Sequence, residues 1–212
     1  GVYLDDDKVF TRVMQTAPGN LCVDILLDAS YSQVNRQAMV SAQGYMIAEA
    51  LTRCNIPVRV SSFCSISGYT ILTRYRDYFE RDNNDRIFHF FTAGCNRDGL
   101  ALRAICQEME SAPCEHKLLI LLSDARPHDI IKFKQNGQYV DYSEDNGILN
   151  TAAELRSMLH RGIAVTCVFT GDDDDVPAAH TIYGRNFARI RNLEQFSNTV
   201  GTLIQNQIRS LG

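Results

Sequence analysis

The 212 residues are 45% hydrophobic and 22% charged, which is enough chain and enough apolar content for one well-filled core. A net charge of −4 provides no electrostatic footprint for DNA, RNA or an anionic membrane. No apolar run is long enough to cross a bilayer, and Gly1 to Asp7 carry neither the basic nor the apolar region of a signal peptide.

Residues 1–20 are expected to form a lead-in arm, with Tyr3 to Met14 alternating weakly and Pro18-Gly19-Asn20 breaking the chain. Residues 21–212 are expected to form a single domain. With no initiator Met at its start, the chain is expected to be the C-terminal part of a longer protein. Cys22 to Leu27 is an apolar run that predicts a buried parallel strand. A helix-period stretch follows from Val34 to about Leu51. Val58 to Cys64 and Tyr69 to Tyr75 are rich in β-branched and aromatic residues around the turn Ser67-Gly68, and predict an antiparallel hairpin at one sheet edge. Arg76 to Thr92 has no clear period beyond a short helix between Asp82 and Phe91. Gly99 to Met109 has helical spacing. Leu118 to Leu122 is the most apolar run in the chain and predicts the central strand. Asn146 to Leu159 predicts a helix that ends in basic residues and a glycine cap at Gly162. Ile163 to Thr170 predicts another buried strand. Four aspartates, Asp172 to Asp175, then predict a solvated turn before a short helix. Asn186 to Ile190 predicts a last strand, and Leu193 to Leu211 a closing amphipathic helix. Strands alternating with helices in this order imply an α/β fold with a mostly parallel sheet, one antiparallel edge strand and helices on both faces.

The 7 cysteines contain no C-x-x-C pair. Cys22, Cys64 and Cys167 fall in predicted strands and Cys54 and Cys106 in predicted helices, where a free Cys packs as a small apolar residue. The expectation is therefore no disulfide frame, no zinc site and a reducing, cytoplasmic environment.

Three segments end at one edge of the predicted sheet, where open α/β sheets bind ligands. The first is Asp28-Ala29-Ser30-Tyr31-Ser32, one carboxylate and two hydroxyls at alternating positions. The second is the loop Gly94 to Gly99, which contains Asn96 and Asp98. The third is Ser123 to Asp129 after the central strand, with Asp124 at its start. Two fixed carboxylates, Asp28 and Asp124, repel each other unless a divalent ion sits between them. Carboxylate, hydroxyl and amide oxygens form the hard-donor set that suits Mg²⁺, with Mn²⁺ or Ca²⁺ as alternatives. The same residue types also cap helices and turns without any metal, and Asn96 and Asp98 are the most open to that account. His128 reads as a loop residue.

Asp28-x-Ser30-x-Ser32 after the first strand, a loop ligand before a middle helix, and Ser123-Asp124-x-x-Pro127 after the central strand resemble the von Willebrand factor A (vWA) domain and its metal-ion-dependent adhesion site. The resemblance covers the chain from about Leu21 onward and implies a Rossmann-like vWA fold. Leu119 to Asp129, with Tyr139-Val140-Asp141-Tyr142 and Gly147 to Thr151, is similar to the C-terminal domain of nitric oxide reductase activation proteins and to cobalt chelatase subunits. Those proteins work beside MoxR-type AAA+ ATPases, so this finer resemblance implies such a partner and a role in activating, or inserting metal into, a client enzyme. Asp28, Ser30, Ser32 and Asp124 match the motif. Asn96 stands where the family has Thr, Asp98 is a second candidate for the same duty, and Ala125 replaces the usual Gly. The resemblance implies a binding module that coordinates a partner's Asp or Glu through the metal, not an enzyme. Two alternatives remain, a Mg²⁺-dependent phosphoryl-transfer or hydrolytic enzyme and a structural vWA domain whose metal site has decayed. The chain has no P-loop and no G-x-S-x-G elbow to favour the enzyme.

Overall fold

Strands β1 (Leu21–Asp28), β4 (His116–Ser123) and β7 (Ile163–Phe169) are covered on both sides and mostly apolar because each lies between two helical layers. The computed structural model describes residues 19–189, 198, 202–207 and 209. The three strands are adjacent and parallel at the centre of a six-stranded sheet of order β3-β2-β1-β4-β7-β8. β2 (Val58–Ile66) runs parallel to β1, and β8 (Phe187–Arg189) runs parallel to β7. β3 (Tyr69–Arg76) is the antiparallel edge strand.

Alternation along β1 divides the core. Val23, Ile25 and Leu27 pack with Val40, Ile47 and Leu51 of α1 (Gln37–Arg53). Leu26 packs on the other face with Leu102 and Ile105 of α2 (Asp98–Glu110) and Leu155 of α3 (Glu144–His160). Cys22, Asp24 and Asp28 share that second face by the same alternation. β1 and β4 run in register from Leu21 opposite His116 to Leu27 opposite Leu122, so Asp28 and Asp124 leave the sheet from neighbouring strands at the same end.

The chain enters α1 through a 3-10 turn, Tyr31–Arg36, where the sequence predicts regular helix from Val34. The stretch expected between Asp82 and Phe91 is likewise a 3-10 turn, Asn84–His89. Asp172 to Asp175 lead through a short 3-10 turn into α4 (Val176–Tyr183). The lead-in arm and most of the closing helix lie outside the described residues; of the latter, 202–207 are helical. No helix among the described residues is long and apolar enough to cross a membrane.

Two features depart from the sequence expectation. A second hairpin, β5 (Asp129–Gln135) and β6 (Gln138–Tyr142), stands apart from the main sheet between β4 and α3. It turns at Asn136-Gly137 with φ of 52° and 81°, the left-handed pair a tight two-residue hairpin requires. The cysteines are also not all free, because Cys22 of β1 is bonded to Cys114, 92 residues away and just before β4. The ground for expecting a reducing compartment therefore falls. Closing a loop of that length contributes roughly 2–5 kcal/mol by restricting the unfolded chain. Cys114→Ser should lower the unfolding free energy by roughly that amount in urea denaturation, and reductant should lower the native protein's stability but leave the variant's unchanged.

Candidate metal centre

β1 carries two fully buried aspartates on one face, and they are treated differently. Asp24 accepts 2.6 Å from Nε of Arg59 and a second hydrogen bond from the Tyr78 hydroxyl, so a cation and a donor answer both its oxygens. Asp28, two repeats of the pleat onward, is also fully buried. Its Oδ1 accepts 2.9 Å from the backbone N–H of Ser30, and its Oδ2 is buried with no hydrogen-bond partner. Such an atom ordinarily costs several kcal/mol unless something positive answers it.

The turn after β1 lays Ser30 and Ser32 side by side, their hydroxyl oxygens 2.9 Å apart. Ser32 donates 2.6 Å to Oδ2 of Asp124, which joins the first loop to the third. The other oxygen of Asp124 accepts 3.0 Å from the backbone N–H of Arg126. The residue between, Ala125, is fully buried at φ 55°, a left-handed conformation that explains why glycine suits this position in the motif.

The middle loop is tied in by backbone pairing on both flanks. Ser65 and Cys95 exchange hydrogen bonds of 2.8 and 2.9 Å, and Asn96 and His128 exchange two of 2.8 Å. The Asn96 amide N–H₂ is consumed by Oδ1 of Asp98 and the Arg126 carbonyl, each at 2.8 Å, which leaves its oxygen as the atom it offers. Asp98 is fully buried at the start of α2, its second oxygen 3.2 Å from the Ser123 hydroxyl.

Burial first, then repulsion from Asp124 and Asp98, pushes the Asp28 carboxyl well above its ordinary value, against hydrogen bonds from Ser30. Burial and Asp124 likewise push Asp98 up, from 3.8 to about 8. No cationic side chain among the described residues pairs with Asp28, Asp98 or Asp124. Nor does any group of three or more His, Cys, Asp and Glu side chains among them stand ready to hold a metal. A cation here therefore depends on hydroxyl and amide oxygens as well as carboxylates. Hard oxygens, an orphaned carboxylate atom and uncompensated negative charge fit a divalent ion such as Mg²⁺.

No protein-family model and no curated protein matches the sequence. Solved structures do match. The vWF domain of the type V pili tip protein Mfa5 from Porphyromonas gingivalis is 13% identical with a TM-score of 0.65, covering 91% of this chain and 97% of that one. The chain has the vWA fold. The pilus adhesin SpaC from Lactobacillus rhamnosus GG, in an open conformation, is 16% identical with a TM-score of 0.61 over 92% of this chain, which spans 30% of SpaC's length. Manganese-loaded TRAP protein from Plasmodium vivax is 15% identical with a TM-score of 0.55, over 91% of this chain and 75% of that one.

Of the six candidate ligands, Ser30, Ser32 and Asn96 line a cavity of about 920 Å³ at this edge of the vWA sheet, and Asp28 and Asp98 lie beneath it. Asp124 is buried and reached through Ser32. Exposed His128 and Tyr31 also line the cavity, His128 bound to the site through its backbone alone. Three supporting residues escaped sequence reasoning. Gln33 donates 2.7 Å to Thr170 at the end of β7, fixing the first loop from behind. Arg97 forms a buried 2.5 Å ion pair with Asp129 at the base of the β5–β6 hairpin. Tyr142 accepts 3.0 Å from the Gly99 N–H and donates 2.7 Å to Asn150, pinning the start of α2. No local pattern marks Gln33, whereas Tyr142 closes the Tyr139-Val140-Asp141-Tyr142 segment that carries the finer resemblance and Arg97 stands conspicuously between two candidate ligands.

Raised carboxyl values in the fold mean that the folded state binds more protons than the unfolded chain between about pH 4 and pH 8. Metal-free stability should therefore fall as pH rises through that window, and chelator-treated protein should melt at a lower temperature at pH 8 than at pH 5.5. A melting temperature that rises across the same interval would contradict the charge clustering described here.

Proposed function

We propose that this domain is a metal-dependent protein-binding module. A divalent cation, Mg²⁺ or alternatively Mn²⁺ or Ca²⁺, is held by Ser30, Ser32 and Asn96, with Asp28 and Asp124 supplying charge directly or through water and Asp98 orienting Asn96. Neutral ligands leave net positive charge on the ion, and the carboxylate of a partner's Asp or Glu completes its coordination. The observation that carries this reading is the buried Oδ2 of Asp28, which has neither donor nor cation beside two further acids. That one of the similar structures is manganese-loaded supports it. The role is binding and not turnover. A phosphatase screen with Mg²⁺ or Mn²⁺ should be negative, and activity lost in Asp124→Ala would overturn this.

The resemblance of Leu119 to Asp129 and the segments after it to nitric oxide reductase activation proteins supplies a proposed setting. In it the module works in the cytoplasm beside a MoxR-type AAA+ ATPase, in activation of a client enzyme or metal insertion into it. The Cys22–Cys114 bond favours a second setting, an oxidising compartment in which the module acts in adhesion. Alkylation of denatured, unreduced protein from its own host separates them: 5 reactive thiols of the 7 cysteines support the second, and 7 support the first.

Metal that binds only the folded state must stabilise it, by about 2.7 kcal/mol at a hundredfold excess over the dissociation constant. Mn²⁺ or Mg²⁺ should raise the melting temperature of the native protein. Asp28→Asn should remove that rise while leaving the metal-free protein as stable or more so, since it deletes a buried unpaired charge. An undiminished rise in the variant, or none in the native protein, would refute the site.

A further inference from the structure

The cavity above the candidate metal has two unlike sides. On one, Tyr31 is 67% exposed at the lip, and its N–H donates 3.0 Å to the Gly94 carbonyl. Gly94 abuts Ile66, since a Cβ there would lie 3.0 Å from Cγ1 of Ile66. Past the Ser67-Gly68 turn, a Cβ on Gly68 would lie 3.5 Å from Cγ2 of Ile131. Ile66 and Ile131 are 45% and 40% exposed. The tips of β2–β3 and the base of β5–β6 thus extend the lip outward as an apolar ledge, of the kind that marks an interaction site. On the other side the cavity is lined by Glu144, Asp145 and Asp174, none in an ion pair among the described residues, and by Asp175 with the exposed Arg126 3.5 Å from it, so that this wall is acidic in net. Beneath the Ser30 and Ser32 floor lies the orphaned carboxylate oxygen of Asp28, an independent sign that something positive belongs there.

We infer that the partner is an extended polypeptide segment whose metal-seeking Asp or Glu is flanked on one side by a bulky apolar residue and on the other by Lys or Arg. The inference rests on the metal reading above and adds what the two walls select. A carboxylate alone would be repelled by the acidic wall, and a cationic neighbour in the same segment turns that repulsion into attraction. Ile66 and Ile131 lie outside the cavity, so an occupant that covers them must reach beyond it. A chain of several residues does so and a small acid does not. Contact with an exposed apolar anchor and with a net acidic wall each contributes about tenfold in affinity.

The test is panning of a random dodecapeptide phage library on the disulfide-intact protein in Mn²⁺, with elution by EDTA. The expected consensus is an acidic residue with apolar and basic residues on opposite sides. Panning on Ile131→Ser should lose the apolar preference, and panning on Asp145→Lys with Asp174→Lys should lose the basic one. A synthetic consensus peptide should bind each variant about tenfold more weakly. An EDTA-eluted consensus with an acid but no flanking preference, or preferences unmoved by the variants, overturns the inference and leaves the metal module standing. No acidic enrichment in Mn²⁺ overturns both.

Discussion

Negative charge confined in a low-dielectric site organises this molecule. Three carboxylates, Asp28, Asp98 and Asp124, are buried at one end of a parallel sheet without a cationic side chain paired to any of them among the described residues. Charge of that kind either binds protons or binds a cation. The same strand shows the alternative solution, since Asp24 is answered by Arg59 and Tyr78. Had the end of β1 been built for stability alone, a similar arginine would serve there.

The fold supplies the confinement. Adjacent parallel strands β1 and β4 bring Asp28 and Asp124 to one edge, and backbone pairs through Cys95, Asn96 and His128 lace the middle loop between them. The β5–β6 hairpin reinforces that lacing. Its Asp129 holds Arg97, the residue between Asn96 and Asp98, and its Tyr142 holds the backbone of Gly99. Donors preorganised in this way lose little freedom when an ion arrives. The electrostatic cost of the metal-free state is offset by the disulfide and by two apolar half-cores.

Much of this was legible in the sequence. Cys22 to Leu27 and Leu118 to Leu122 read as central strands because both faces are apolar, and Asp28, Ser30, Ser32 and Asp124 follow such strands directly. The β2–β3 edge hairpin was legible in Ser67-Gly68. The β5–β6 hairpin was not, although Asn136-Gly137 is a strong turn signal, because Ile130, Ile131 and Lys132 do not alternate and all three are exposed: full burial is confined to the base, at Asp129 and Tyr142, too short a stretch to impose a period. The disulfide escaped because its partners are far apart in sequence and Cys22 sits in a run where a small apolar residue fits equally well. The hydrogen bonds that Asn96 and Asp98 have already spent, which leave the amide oxygen of Asn96 free of them, are visible only in three dimensions.

A pocket that joins uncompensated acid below, an acidic wall on one side and an apolar ledge on the other is suited to reading a polypeptide through a metal. The central claim concerns the ion itself. Crystals soaked in Mn²⁺ and measured at the manganese absorption edge should show a single anomalous peak against the Ser30 and Ser32 hydroxyls, with Asp28 and Asp124 reaching it directly or through one water. A map without a peak there, with the Asp28 oxygen satisfied by a proton or a water alone, would contradict the account.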